Sequence, residues 1–101
     1  MIVIRNVFRL KFGKAKEAVA LMKEGLAIQN RVMAGQEFST RVLTDVTGPF
    51  YTLVLETEFA SLADFESRLP QNFASADWQA WYSQFNALVR SGRREIFRVL
   101  D

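Results

Sequence analysis

Ile2, Ile4, Asn6, Phe8, Leu10 and Phe12 occupy alternate positions near the start of the chain, and Asn6 is the one polar side chain in that row. Side chains of a strand alternate between its two faces, so the row points into a core and carries the amide with it. Leaving such an amide unpaired costs about 1–3 kcal/mol. Asn6 therefore either bonds to other protein groups or is held for a ligand, whose developing oxygen charge its NH2 group would stabilise. Both readings stay open, because most buried polar groups are satisfied within the protein.

What the chain lacks narrows the chemistry open to its other residues. Histidine and cysteine are both absent, which removes the commonest general base, the histidine-paired nucleophiles, thiolate chemistry and the usual zinc and haem ligands. Any chemistry falls to amide, hydroxyl, carboxylate, guanidinium or indole groups, or to the substrate's own reactivity. Trp78, Trp81 and Tyr82 recur at helical spacing, which means core packing first and a pocket wall opposite Asn6 second. Tyr51 has the same standing on the apolar face of a later strand, with a hydroxyl that needs a partner if buried. Arg5, Arg41 and Glu56 belong to the other strand face, where they form an ion-pair cluster across a dimer or grip an anionic ligand. Glu56 and Glu58 lie two apart with no third ligand, so no metal and no cofactor are expected. Arg93-Arg94 reads as solvated surface.

These residues need elements to position them. Residues 2–12 alternate as a strand ending at Gly13. Ala15, Ala18, Val19, Met22, Leu26, Gln29, Val32 and Met33 then trace a helical stripe, with Gly35 as its cap. Residues 36–45 and 50–59 form two strands joined through a Gly48-Pro49 turn, with Phe38, Thr40 and Val42 on one side of the first. Ser61 and Asp64 have capping-box spacing and start a short helix carrying Leu62, Phe65 and Leu69, which Pro70 should end. After a linker over 71–75, Ser75 or Asp77 opens a third helix that Gly92 closes, and residues 94–100 form the last strand.

At 101 residues, half of them hydrophobic, 24% charged and with a formal charge of +2, the chain reads as a single domain over 1–101. It is expected to be cytoplasmic, with no membrane or nucleic-acid partner. No aromatic stands among Val3, Arg5 and Val7 to stack a base as an RNA-recognition sheet would. The order β-α-β-β-α-α-β is that of a ferredoxin-like α+β fold, a four-stranded antiparallel sheet with helices on one face. The uncovered face would carry Val3, Val7, Val54 and Ile96 among Arg5, Thr52 and Glu56. It is too apolar to be left bare, so a homodimer stacked through these faces is expected.

Two stretches carry a family likeness. Asn6-Val-Phe-Arg-Leu-Lys-Phe-Gly13-Lys-Ala-Lys-Glu17 resembles the strand-to-helix entry of the small monooxygenases. Phe59-Ala-Ser-Leu-Ala-Asp-Phe-Glu66 followed by Ser75-Ala-Asp-Trp-Gln-Ala-Trp-Tyr82 resembles the NIPSNAP pattern. The chain is thus similar to the dimeric α+β barrel superfamily, which includes antibiotic-biosynthesis and haem-degrading monooxygenases. The resemblance implies a pocket between sheet and helices in which an Asn, here Asn6, and aromatic groups hold an electron-rich phenol or quinol while oxygen reacts with it. Haem degradation is not expected, since the family's histidine ligand is missing.

Two functional readings result. One is a small cofactor-independent monooxygenase-like protein binding a polar aromatic or polyketide-like molecule through Asn6, with Tyr51, Trp78, Trp81, Tyr82 and Arg41 as candidate binding residues. The other is a non-catalytic NIPSNAP-like binding or scaffolding dimer, in which those side chains are core. An open pocket of a few hundred Å³ reaching Asn6 separates them.

Overall fold

The computed structural model describes residues 1–34 and 39–100. Gly35, the start of the second strand over 36–38 and Asp101 lie outside the described residues. The elements run β1 (Ile2–Leu10), α1 (Ala15–Val32), β2 (Ser39–Thr44), β3 (Thr52–Phe59), α2 (Leu62–Phe73), α3 (Ala76–Asn86) and β4 (Val89–Arg98). All strand pairs are antiparallel, in the order β2-β3-β1-β4. The two most apolar strands, β1 and β3, therefore take the middle of the sheet. The architecture is the ferredoxin-like α+β fold.

Register decides which side chains meet. Asn6 lies between Leu55 on β3 and Arg94 on β4. One sheet face presents Ile4, Phe8, Leu10, Leu53 and Leu55 to the helices, and with Ala18, Met22, Trp81 and Phe85 these make the core. Burying each such side chain contributes about 1.5–3 kcal/mol. The molecule measures 36 × 35 × 17 Å, the thickness of one helical layer on one sheet, so no helix among the described residues covers the second face, although Val7 and Val54 there are already buried. No helix among the described residues is long and apolar enough to cross a membrane.

A glycine sets the spacing between α1 and α3. A Cβ on Gly25 would lie 2.4 Å from Cε2 and Cζ2 of Trp81, and the Trp81 indole N–H donates to the Leu21 carbonyl one turn back. The ring fills the groove that the missing side chain leaves. Trp81 also stacks on Phe85 at 5.1 Å, and Phe85 meets Phe8 edge-on at 5.2 Å.

Several sequence expectations need correction. β1 stops at Leu10, because Gly13 at φ +80° turns the chain and Lys14 N–H bonds to the Lys11 carbonyl; Phe12 is left 87% exposed. Pro70 does not end α2, which continues to Phe73. Proline lacks the N–H that would bond back to residue 66, yet its neighbours still keep helical geometry. Gly92 does not close α3 either; α3 ends at Asn86 and Gly92 lies within β4, opposite Phe8. Ile96 pairs with Ile4 and so shares the helix-covered face, while Phe97, opposite Val3, takes the second face. The caps Ser61 and Ser75 are as expected, accepting from Asp64 N–H at 3.1 Å and Trp78 N–H at 3.3 Å.

Candidate functional site

The amide of Asn6 does not disappear into the core. Its Oδ1 accepts a hydrogen bond of 2.8 Å from Nε of Arg94, the residue directly across from it on β4. A guanidinium only donates, so this bond fixes which end of the amide is oxygen and leaves the NH2 end free to donate. Arg94 is held from a second side, with its guanidinium carbon 5.4 Å from the centroid of the Phe65 ring. Its other N–H donors make no further hydrogen bond among the described residues.

Three hollows share this pair. The first, about 420 Å³, lies beneath α3 and is walled by Phe8, Phe73, Trp78, Gln79 and Tyr82. The second, about 380 Å³, runs along β4 past Asn86, Arg90 and Ser91. Both fall in the range of small-molecule sites. The third is an inner chamber of about 80 Å³ between the sheet, α1 and α2, where Gln29, Thr57, Arg68 and Asn72 interrupt an apolar lining. No carboxylate is among the described lining residues of any of the three. Arg68 is paired with Asp64 at 2.9 Å, whereas Arg90 and Arg94 have no carboxylate partner among the described residues. Unbalanced guanidinium charge beside aromatic walls suits an anion carried on a ring. No group of three or more potential metal ligands occurs among the described residues.

The sequence-derived candidates separate in space. Asn6, Trp78 and Tyr82 come together around the first hollow. Trp81 packs behind it, 5% exposed, against α1. Tyr51 is in the turn before β3 at φ +60°, edge-on to Phe12, and lines a separate surface depression. Arg41 is on the second sheet face, bonding Glu56 Oε1 through Nε at 2.9 Å and Nη2 at 2.6 Å.

That second face carries a row of alternating charge. Register places Arg41, Glu56, Arg5 and Glu95 opposite one another on β2, β3, β1 and β4. Contacts of 3.3 Å from Arg5 to Glu56 and 3.6 Å from Arg5 to Glu95 continue the row.

Reading the sequence misses Arg94, Gln29, Thr57 and Asn72. Arg94 is not idle surface: it alternates with Ile96 and so belongs to the helix-covered face. Gln29 and Thr57 carry the same signal as Asn6, a polar residue within an apolar row. Asn72 is hidden by the expectation that Pro70 ends the helix.

The chain matches no protein-family model and no curated protein sequence. Among solved structures it is similar to a NIPSNAP family protein from Agrobacterium tumefaciens, 26% identical with a TM-score of 0.87, covering 99% of this chain and 86% of that one. It is also similar to an uncharacterized NIPSNAP domain protein from Burkholderia xenovorans (18% identity, TM-score 0.86, 99% and 95% covered). An antibiotic biosynthesis monooxygenase shares the fold over the full length of both chains, at 14% identity and a TM-score of 0.74. The resemblance read from the sequence is thus matched by the fold.

Proposed function

We propose that this chain is a small-molecule-binding protein of monooxygenase-like construction that takes a polar aromatic or polyketide-like anion at Asn6 and Arg94. One observation carries the reading. Asn6 has its oxygen fixed by Arg94, and the pair opens onto hollows of several hundred Å³ that hold unpaired guanidinium charge and no described carboxylate.

The chemistry that fits is stabilisation of a phenolate or enolate. Donation by the Asn6 NH2 and the Arg94 guanidinium to a substrate oxygen favours its ionised form, and preorganised donors of this kind act strongly where water is excluded. Oxygenation of an activated carbon, either a methylene or the ring CH ortho to a phenolate taken as its keto tautomer, then balances without an outside reductant: CH2 and O2 give C=O and H2O, the substrate supplying all the electrons. With no histidine in the chain and no carboxylate in the described lining, the proton passes to water or is lost before binding. The lack of a base, and the greater likeness to NIPSNAP structures, favour a second reading in which the pocket binds without turnover.

Oxygen uptake with hydroquinone carboxylates such as 2,5-dihydroxybenzoate separates the two. Catalysis predicts uptake above the spontaneous rate that is lost in Asn6→Ala. Binding alone predicts saturable association with no added uptake.

We further propose a homodimer through the uncovered sheet face. Leu43, Phe97 and Val99 are exposed there at 36%, 49% and 38%, around the row Arg41, Glu56, Arg5, Glu95. A row of four alternating charges is complementary to its own reverse. A two-fold axis that reverses it sets Arg41 of one copy over Glu95 of the other, and Glu56 over Arg5. Such an isologous contact closes on itself.

A further inference from the structure

β4 carries one more residue than the stretch of β1 it pairs with. The register steps from Arg9 opposite Ser91 to Leu10 opposite Val89, which makes Arg90 the extra residue of a β-bulge. A bulge at a sheet edge re-aims the side chain at the irregularity. Val89 packs against the core, whereas Arg90 stays exposed and lines the hollow that runs along β4.

Two residues further on, Gly92 lies opposite Phe8 on the helix-covered face. A Cβ there would come 3.2 Å from Cδ1 of Phe8, so a side chain at this position would stand on the floor of the hollow. Glycine keeps that floor open from Arg90 to Arg94. The two guanidinium groups are held apart. Arg94 is tied to Asn6 at 2.8 Å and lies over the Phe65 ring at 5.4 Å. Arg90 starts four residues back, up to about 13 Å along the strand. It makes no ion pair among the described residues. Such a pair suits two anionic groups rather than one.

We propose that the hollow along β4 is an extended subsite, in which Arg90 pairs with a second anionic group of the ligand. The proposal rests on the anion reading given above and deepens it, the first anion being held at Asn6 and Arg94. Tyr82 and Phe85 wall the space between the two charges, and its 380 Å³ admits a ring with a short chain. The ligand class is therefore an elongated dianion, an aromatic or polyketide-like acid with a carboxylate at the far end. A guanidinium recognises that group through paired N–H donors.

The test is titration of the full chain with benzoate and with 4-(carboxyalkyl)benzoates of increasing tail length. Each diacid is set against the analogue whose tail ends in a primary amide, equal in size and uncharged. At least one diacid should bind about fivefold or more tightly than its amide. In Arg90→Gln that preference should fall to within about twofold. Arg93→Gln makes the same change of charge on the opposite face and should keep the preference. Arg94→Gln should weaken diacid and amide together. If no diacid is preferred by the parent, or the preference survives Arg90→Gln or is lost equally in Arg93→Gln, the Arg90 assignment is overturned while single-anion binding stands. If neither benzoate nor any diacid binds, or Arg94→Gln binds them all as tightly as the parent, the anion reading fails and takes this one with it.

Discussion

Asn6 and Arg94 face each other across β1 and β4, Oδ1 accepting from Nε at 2.8 Å. The bond sets the orientation of both groups at once, the amide NH2 remaining as a donor beside a guanidinium with donors to spare.

Asn6→Asp tests that arrangement without removing it. The carboxylate keeps the acceptor for Arg94 and adds charge attraction, so thermal stability should hold or rise. It also repels an incoming anion and removes the NH2 donor, so affinity for 2,5-dihydroxybenzoate should fall by tenfold or more, about 1.4 kcal/mol. Parallel melting and titration curves check both halves.

Arg94→Gln should weaken anionic ligands and leave neutral hydroquinone little changed. The parent's affinity for the anion should also decline with added salt, an effect that the variant largely lacks. Titrations at two ionic strengths measure it.

Gly25→Ala should destabilise the fold by about 2 kcal/mol or more, the scale of overpacking in a tight core. The new methyl would sit 2.4 Å from the Trp81 ring, which its own bond to the Leu21 carbonyl holds in place. The midpoint of urea denaturation, followed by tryptophan fluorescence, gives the shift.

Glu95→Arg should shift the proposed dimer toward monomer. It breaks the alternation of the charged row and sets like charge over Arg41 of the second copy. Sedimentation equilibrium of parent and variant reads the change directly.

The sheet was legible from sequence because its two inner strands alternate cleanly, and α1 because its apolar stripe is long. Pattern and structure part where a single residue carries the whole signal. Pro70 reads as a stop, yet α2 runs on to Phe73 because the packing of Phe65 and Leu69 against the sheet outweighs one missing backbone bond. Gly92 reads as a cap, although it lies in β4, where a Cβ would come within 3.2 Å of the Phe8 ring.

The site was half legible for a related reason. Asn6 stood out as a polar residue within a pattern, whereas Arg94 stood beside Arg93 and looked like ordinary surface. Only register shows that the two neighbours point to opposite faces, Arg94 toward Asn6 and Arg93 toward Glu95 at 3.5 Å. A one-residue change of register would exchange their roles.

Anion binding at Asn6 and Arg94 is tested by the binding of 2,5-dihydroxybenzoate to the parent protein, Asn6→Asp and Arg94→Gln, followed by calorimetry. One saturable site per chain is expected in the parent and at least about tenfold weaker binding in each variant, with Asn6→Asp melting no lower than the parent. Equal affinity in all three proteins, or no binding to the parent at all, would contradict it.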